Sequence, residues 1–237
     1  MTDVLGSFPK IRPALPEEYQ KIYDKHFIEN RNGTTSVSHM SSKLEGWMHR
    51  QVAETAAPGI STLEIGAGSL NQFKFEKKQG VYDIIEPYHK IYEQSEYLGN
   101  VDTFYDDISE IPEGNRYDRI ISVATFEHIL NLPAVIEKII SLLSTDGLLA
   151  VSIPNEGRFL WRLAYRNTTG REFHKKYGLD YEVIMRHEHV NSADEIECLL
   201  RYFFSDVTEK LFGISKDLAF YRFYLCKNPC GNNNSLT

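Results

Sequence analysis

The stretch LEIGAG at residues 63–68 decides the fold of this 237-residue chain. Its first three residues belong to an apolar run over 60–65, which predicts a buried strand. Its two glycines predict a tight turn into a helix. Glycine has no side chain, so a bound molecule can approach its backbone closely. The stretch therefore predicts an α/β sheet with a ligand-binding turn after its first strand.

The same pattern of strand, turn and helix recurs along the chain. Further strand-like runs, with helices expected between them, lie at 81–85, 101–105, 119–124 and 148–153. One of those helices is expected around 88–97. Alternating strands and helices form crossover units and a parallel sheet.

The C-terminal part adds a hairpin to this sheet. Two strand-like runs at 206–213 and 219–226 are close enough in sequence to pair as an antiparallel hairpin. Before them, the capping-box pattern at 192–195 predicts a helix with an apolar face formed by Ile196, Leu199, Leu200 and Phe203. The fold class is therefore α/β: a Rossmann-like, seven-stranded, mostly parallel sheet with helices on both faces and an antiparallel C-terminal hairpin.

We expect a single domain, since an α/β core of this length needs no second core. Residues 1–58 are expected to form an arm and helices that cap the domain formed by 59–230, and 231–237 a disordered tail. A lid insert is expected after the fifth strand, at about 156–190, where the chain is more basic and irregular.

Prolines and apolar spacing organise the N-terminal part. Pro9, Pro13 and Pro16 predict an extended arm over the first sixteen residues, followed by a helix to about residue 30. A second helix is expected to begin at 41–42. Its apolar face is formed by Leu44, Trp47, Met48 and Val52.

Charge and cysteine content exclude several classes of protein. The chain has 26 basic and 33 acidic residues, whereas a protein that neutralises nucleic-acid phosphates usually carries a positive excess. No nucleic-acid partner is therefore expected. Three cysteines without a CxxC pair indicate a reducing compartment, and neither a signal peptide nor a membrane span is expected, so we predict a cytoplasmic protein.

Polar residues that follow the predicted strands are the candidate binding residues, because ligands of open α/β sheets bind at the carboxyl ends of strands. Glu86 lies 22 residues after Glu64, near the spacing at which a carboxylate binds ribose hydroxyls. Asp107 can accept a hydrogen bond from an exocyclic amine, and Ile108 can flank a purine. The order of these residues predicts a nucleoside pocket.

Asn71 argues against an NAD-dependent oxidoreductase, which we keep as an alternative. It occupies the third position of the G-x-G-x-x-G pattern, where a dinucleotide site favours glycine or alanine so that helix and strand can close on the pyrophosphate. The pocket is therefore expected to hold a nucleoside without a pyrophosphate.

The chain resembles the class I S-adenosylmethionine-dependent methyltransferases, particularly the small-molecule enzymes called types 11 and 12. The resemblance covers about 60 to 155 and is carried by LEIGAG at 63–68, IIEP at 84–87, DISEIP at 107–112, YDRIISVATFEHI at 117–129 and DGLLAVSIPN at 146–155. It implies S-adenosyl-L-methionine as the cofactor and S-adenosyl-L-homocysteine as the product. The acceptor is expected to bind in the N-terminal helices and the insert, where members of the family differ.

The resemblance also implies a role for each cofactor-binding residue. Glu86 would hold the ribose hydroxyls, and Asp107 with Ile108 the adenine. The methionine part and the surroundings of the sulfonium would be lined by Glu64, Gly66, Gly68, Val123 and Ala124. The same turns supply the remaining candidates, which are Ala67, Asn71 and Pro87.

Three arginines spaced four apart are the candidate acceptor-binding residues. Arg158, Arg162 and Arg166 would form one stripe of a helix, and on an acidic chain they predict an anionic acceptor such as a phosphorylated metabolite. A solvated helix face that pairs with acidic residues is an equally open alternative. Tyr181 is expected to line the same pocket.

Histidines are the candidate general bases, because histidine accepts a proton near neutral pH. His189 is the first candidate, with His187 and His128 as alternatives, although each can also be a structural histidine. His187 and His189 are two residues apart, so in an extended segment their side chains would point the same way. A metal site would still need a third ligand from elsewhere in the chain, and no metal is expected.

These residues predict an S-adenosylmethionine-dependent methyltransferase that acts on a small molecule. The acceptor is expected to be an oxygen on a sugar, a nucleotide-linked sugar or another phosphorylated metabolite. A nitrogen or carbon acceptor in a specialised metabolite is an alternative. A non-catalytic methyltransferase-like partner is another, although the glycine turn and the ribose acid are both intact.

Overall fold

A seven-stranded sheet forms the centre of the part of the chain that the computed structural model describes, residues 2–23, 36–156, 158, 166 and 169–230. The strands are β1 (Thr62–Ile65), β2 (Tyr82–Ile85), β3 (Thr103–Tyr105), β4 (Tyr117–Val123), β5 (Leu143–Pro154), β6 (Phe204–Gly213) and β7 (Ala219–Pro229). Their order in the sheet is β3-β2-β1-β4-β5-β7-β6. Strands β1 to β5 are parallel, and β7 runs antiparallel to β5 and β6, which confirms the predicted sheet and hairpin.

The strand order reverses between β1 and β4, and this reversal opens a crevice at their carboxyl ends. Ile65, the last residue of β1, lies opposite Ile85 of β2 and Ser122 of β4. Both β1 and β2 are buried along their whole length, as expected of parallel strands covered on both faces. The register therefore brings the residues after β1, β2 and β4 to one edge of the sheet.

Helices cover both faces of the sheet, as predicted. The described helices are α1 (Thr2–Leu5), α2 (17–23), α3 (Ser36–Ala53), α4 (Leu132–Leu142), α5 (Thr169–Tyr177), α6 (Tyr181–Glu188) and α7 (Ala193–Phe203). On one face, α4 and α7 bury residues such as Ile136 and Leu200 against β1 and β5. On the other face, α3 buries Met48 and Val52 against β2 and β4, with Leu44 and Trp47 packed beside them.

The sequence signals at the start of α7 give the predicted structure. The Ser192 side chain accepts a hydrogen bond from the Glu195 amide, and the Glu195 carboxylate accepts one from the Ser192 amide at 2.9 Å. This is the predicted capping box. All four predicted apolar residues of the helix are buried: Ile196, Leu199, Leu200 and Phe203.

Several predicted helices differ from the observed elements. After the glycine turn the chain forms only a four-residue 3-10 helix, Asn71–Lys74, and the predicted helix at 88–97 is a 3-10 helix at His89–Ile91 followed by turns. In the first case Leu70 has a left-handed backbone and Phe73 is buried with Tyr82, so packing overrides helix propensity.

The N-terminal boundaries also differ. Helix α3 begins at Ser36, before the predicted start at 41–42, because serine costs little inside a helix and does not by itself set its start. The predicted arm contains the short helix α1, and α2 begins at 17 as expected. The rest of that helix and the predicted tail at 231–237 lie outside the described residues.

The N-terminal arm packs against the segment after β5. Tyr19 of α2 stacks on Phe173 of α5. The Tyr19 hydroxyl accepts a hydrogen bond at 3.0 Å from the amide of Asp180, the residue that caps the N-terminus of α6. Leu15 and Ile184 complete this apolar cluster. Helices α2, α5 and α6 thus pack together as one unit, which we call the cap. None of the described helices is long and apolar enough to cross a membrane.

Candidate functional site

The glycine turn after β1 requires glycine for steric reasons. Gly66 and Gly68 have φ of 73° and 53°, in the left-handed region that side chains rarely adopt. A Cβ atom on Gly66 would lie 2.2 Å from Oγ1 of Thr125 and 2.9 Å from its Cβ, so rotation of the threonine would not relieve the clash. The Gly66 amide donates to the Ile85 carbonyl at 2.8 Å, which ties the turn to β2.

We expect Gly66→Ala to lower the free energy of unfolding by more than Gly178→Ala. Gly178 is a matched control, because its φ is 72° and an added Cβ would meet nothing within 4 Å. It should therefore show only the left-handed backbone cost of about 1–2 kcal/mol, whereas Gly66→Ala adds the clash with Thr125. Urea unfolding of both variants checks this, and equal losses would contradict the steric role of Gly66.

Glu86 connects the end of β2 to the glycine turn. Its carboxylate accepts hydrogen bonds from the Gly68 amide at 2.9 Å and from the Tyr88 amide at 3.0 Å. A carboxylate has about four lone-pair directions, so two remain for further donors. The structure thus places Glu86 in contact with the glycine turn, at the carboxyl ends of β1 and β2. Pro87, next to Glu86, is exposed.

Asp107 follows β3 at the same edge of the sheet. One of its carboxylate oxygens accepts hydrogen bonds from the amide and hydroxyl of Ser109, at 2.9 and 2.6 Å, and these bonds hold its pKa below the usual range. Asp107 is exposed and stays ionised, and the next residue, Ile108, is half-buried. The pair offers an acceptor and an apolar surface side by side.

Glu64 has a buried side chain that contacts Tyr82, the first residue of β2. The Tyr82 hydroxyl donates to its carboxyl group at 2.8 Å, and burial raises the pKa of Glu64 to about 8. Because only 2% of the residue is exposed, its side chain has almost no surface to offer a ligand. We therefore assign Glu64 a supporting role beneath the turn. Ala67 is also buried, and Asn71 begins the 3-10 helix.

The raised pKa of Glu64 predicts a pH dependence of stability. Between about pH 4.5 and 8 the carboxyl group is ionised in the unfolded chain but protonated in the folded one. The unfolded state then binds fewer protons, so stability falls as pH rises, by at most about 1.4 kcal/mol per pH unit from this group.

We expect Glu64→Gln to weaken this fall, since glutamine is neutral at every pH and its oxygen can accept the Tyr82 hydrogen bond. Denaturant unfolding at several pH values, with the exposed Glu93→Gln as control, measures the effect. A Glu64→Gln variant whose stability falls with pH as steeply as that of the parent would disprove it.

The end of β4 completes the cofactor side of the crevice. Ala124 has φ of 50° and donates its amide to the Ser152 carbonyl at 2.8 Å, while Val123 is buried. The Thr125 hydroxyl donates to the Val123 carbonyl at 3.1 Å and also contacts Gly66. Thr125 therefore holds the end of β4, with Val123 and Ala124, next to the glycine turn.

Five residues form what we call the histidine cluster: Glu127, His128, Glu156, Glu188 and His189. Nδ1 of His189 contacts the Glu156 carboxyl group, and the rings of His128 and His189 pack edge to face with centroids 4.6 Å apart. Nδ1 of His128 lies 3.0 Å from the Glu188 carbonyl and 3.3 Å from its carboxyl group. Burial raises the pKa of Glu188, and that of Glu156 to about 8.

This cluster lies beside the crevice because its members follow β4 and β5 or end α6. Glu127 and His128 belong to the 3-10 helix after β4, and Glu156 comes two residues after β5. His189 is the C-terminal cap of α6. The structure therefore brings together two of the three predicted base candidates, together with carboxyl groups that sequence reasoning missed.

His187 is not part of the cluster, which corrects the prediction that it points the same way as His189. The segment is helical up to Glu188, and residues two apart on a helix project in nearly opposite directions. Nδ1 of His187 lies 2.7 Å from the Pro13 carbonyl, and its ring packs edge to face against Tyr23. His187 therefore contacts the N-terminal arm.

Arg12 joins this arm to the cluster, and sequence reasoning missed it. Its guanidinium donates to the carbonyls of His128, His187 and Glu188 at 2.6 to 3.1 Å. It also lies 3.9 Å from the Glu188 carboxyl group. Arg12 thus fixes the C-terminal end of α6 against the 3-10 helix after β4.

The described arginines of the predicted stripe are paired with acidic residues. Arg158 forms ion pairs with Asp194 at 2.5 Å and Asp217 at 2.7 Å, and Arg166 with Glu182 at 2.7 Å. These pairs are what the alternative of a solvated helix face requires. Arg162 lies outside the described residues. Separately, Tyr181 packs on Phe173 with ring centroids 5.3 Å apart, inside the cap.

Comparison with known families agrees with this arrangement. A family described as a methyltransferase domain matches residues 37–203, which include β1 to β5 and the residues of the crevice. The chain belongs to this family. It is a methyltransferase of class I fold, and the family uses S-adenosylmethionine as methyl donor. Among curated protein sequences, none matches the chain.

Solved methyltransferases share the fold at low sequence identity. The plantazolicin methyltransferase BpumL, solved with a monoazolic desmethylPZN analog and SAH, is 16% identical, with a TM-score of 0.60 over 90% of this chain and 93% of its own. The plantazolicin methyltransferase BamL, solved with a triazolic analog and SAH, is 14% identical, with a TM-score of 0.61 over 96% and 98%. A possible histamine N-methyltransferase from Thermotoga maritima is 14% identical, with a TM-score of 0.55 over 89% and 98%.

Proposed function

We propose that this methyltransferase transfers the methyl group of S-adenosylmethionine to a hydroxyl oxygen of a small molecule. The observation that carries the proposal is His189, which contacts the Glu156 carboxyl group and lies beside the crevice that holds Glu86. A hydroxyl is a weak nucleophile until its proton leaves, so an oxygen acceptor needs a base at this position. An oriented histidine supplies one.

The residues of the crevice fit S-adenosylmethionine. We place the ribose hydroxyls at Glu86, the adenine at Asp107 and Ile108, and the methionine part along the turn at 66–68. The left-handed glycines leave the backbone open on that side, and the Glu86 carboxylate keeps acceptor capacity beyond its two amide bonds. S-adenosylmethionine would supply an electrophilic methyl group on its sulfonium, and Val123 and Ala124 would line that part of the cofactor.

The protein's own residues position the acceptor and take up its proton. His189 accepts the proton of the acceptor hydroxyl, and the Glu156 carboxyl group orients the ring. Arg12 holds the end of α6, and with it His189, against the 3-10 helix after β4. The cap of α2, α5 and α6 would shield this side of the site from water. Alignment and dehydration are general sources of rate acceleration in such transfers.

We propose a sugar, a nucleotide-linked sugar or another phosphorylated metabolite as the acceptor class. The cation beside the histidine cluster, Arg12, donates to the backbone carbonyls of His128, His187 and Glu188, so the cluster offers an anion little to bind close to His189. A phosphate would therefore bind away from the cluster, and to use Arg158 or Arg166 it would have to displace the acidic partners of these arginines. A nitrogen acceptor is the second candidate, because the carboxyl oxygens of the histidine cluster suit a cationic amine.

A screen for methyl transfer tests the acceptor class. The full chain is incubated with S-adenosylmethionine and panels of hydroxylated, phosphorylated and amino metabolites, and the methylated atom is located by mass spectrometry and NMR. We expect transfer to oxygen. Transfer to nitrogen would replace the proposal with the second candidate, and release of no S-adenosylhomocysteine from any panel would favour a non-catalytic partner.

A further inference from the structure

Three side chains of the histidine cluster are arranged as a set of metal ligands. Glu127, His128 and His189 each offer a ligand atom, and these atoms all lie within 4.8 Å of one another. Two imidazoles and one carboxylate are a recurrent ligand set of divalent transition metals, with open positions left for water or substrate. The ligands come from two separate elements, the 3-10 helix after β4 and the end of α6, so the fold itself assembles them.

The groups behind these ligands follow the pattern of known metal sites. A histidine that binds a metal commonly has its other ring nitrogen bonded to a carboxylate or a backbone carbonyl, which orients the ring. Nδ1 of His189 contacts the Glu156 carboxyl group, and Nδ1 of His128 lies 3.0 Å from the Glu188 carbonyl. Both rings are therefore held at Nδ1, and Nε2 is the nitrogen that we assign to the metal.

The carboxyl oxygens of the cluster also favour a cation. Glu127, Glu156 and Glu188 place three carboxyl groups around two imidazoles, and all three are largely buried. Within the described residues, Oε1 of Glu188 is buried without a hydrogen-bond partner, and Arg12 approaches the other oxygen of that group only at 3.9 Å. A divalent ion would supply positive charge where buried carboxyl groups are close together.

We propose that Glu127, His128 and His189 bind a divalent transition-metal ion of the Zn²⁺ class. Two nitrogen donors favour such an ion over Mg²⁺ and Ca²⁺, which prefer oxygen ligands alone. The sequence pattern suggested His187 as the partner of His189. The structure replaces His187 by Glu127 and His128.

A bound ion would compete with the base, and this consequence rests on the proposed function. A neutral imidazole has one nitrogen lone pair. When Nδ1 of His189 donates its proton to Glu156, the lone pair is on Nε2. This lone pair can bind the ion or accept the proton of the acceptor, but it cannot do both. The metal is therefore an inhibitor that occupies the acceptor side of the site, and cofactor binding at Glu86 is unaffected.

Calorimetric titration of Zn²⁺ into the chelator-treated full chain tests the site without cofactor or acceptor. We expect the parent to bind one ion in the cluster, with Mg²⁺ much weaker. Glu127→Gln and His128→Gln should each weaken Zn²⁺ binding at least about tenfold, whereas the matched control His187→Ala should not change it. Thermal melts establish that each variant is folded. Unchanged Zn²⁺ affinity in both folded variants, or equal affinity for Mg²⁺, would overturn the site.

A turnover assay tests the competition separately. In the parent, added Zn²⁺ should slow methyl transfer, a chelator should restore it, and the affinity for S-adenosylhomocysteine should stay constant. Loss of turnover on chelation would overturn the inhibitory role. If no acceptor is methylated, the proposed function fails, while the binding titration still decides whether the metal site exists.

Discussion

Glu86→Ala is expected to weaken the binding of S-adenosylmethionine by at least the roughly 10- to 150-fold that the loss of one hydrogen bond to a charged group costs. Removing the carboxylate removes hydrogen bonds from the ribose hydroxyls to a charged group, each worth about 1.5–3 kcal/mol. The variant also leaves the Gly68 and Tyr88 amides without their acceptor, so the glycine turn loses its support at the same time. Both effects act in the same direction.

Calorimetric titration with S-adenosylhomocysteine measures this loss. Glu93→Ala is the control, because Glu93 is an exposed acid on the same connection after β2 and should leave the affinity unchanged. Unchanged affinity in a folded Glu86→Ala variant would remove the ribose assignment. Tight binding of NAD by the parent would instead favour the oxidoreductase alternative that Asn71 opposes.

His189→Ala should lower kcat by about 10²- to 10⁴-fold, the usual contribution of a positioned general base. The affinity for S-adenosylmethionine should be retained, because His189 lies on the acceptor side of the crevice. A fall in kcat at constant cofactor affinity indicates an interaction made in the transition state. Steady-state kinetics on the acceptor found in the screen provide the measurement.

His187→Ala is the matched control for this experiment. The two histidines are two residues apart, but His187 contacts the Pro13 carbonyl and Tyr23 on the N-terminal arm. Its removal should leave kcat nearly unchanged. Full turnover in a folded His189→Ala variant would exclude the base role, and so would equal losses in both variants.

The sequence predicted the sheet well because its central strands are short, continuously apolar and followed by turns. Parallel strands buried on both faces produce this signal directly, and the capping box at 192–195 is equally local. The helices predicted after the glycine turn and at 88–97 were wrong because apolar side chains there, such as Phe73, pack against residues of other elements, and these contacts override the local pattern. Such packing depends on distant residues, which no local pattern contains.

The same distinction between local patterns and contacts with distant residues applies to the site. The contact between Glu86 and the glycine turn could be predicted because both follow strands, and the fold brings strand ends together. Arg12, Glu127 and Glu156 could not be assigned roles, because their partners lie on other elements of the cap and the sheet. The error over His187 came from the local conformation: a helix turns its side chain away from His189, where an extended segment would have aligned them.

A crystal structure of the protein with S-adenosylhomocysteine tests the central claim most directly. We predict that the ribose hydroxyls contact the Glu86 carboxylate and that the amino-acid part lies along the turn at 66–68. The sulfur should lie by Val123 and Ala124 and face the histidine cluster across an open space for the acceptor. A ligand bound elsewhere, or one whose sulfur faces away from His189, would contradict the account.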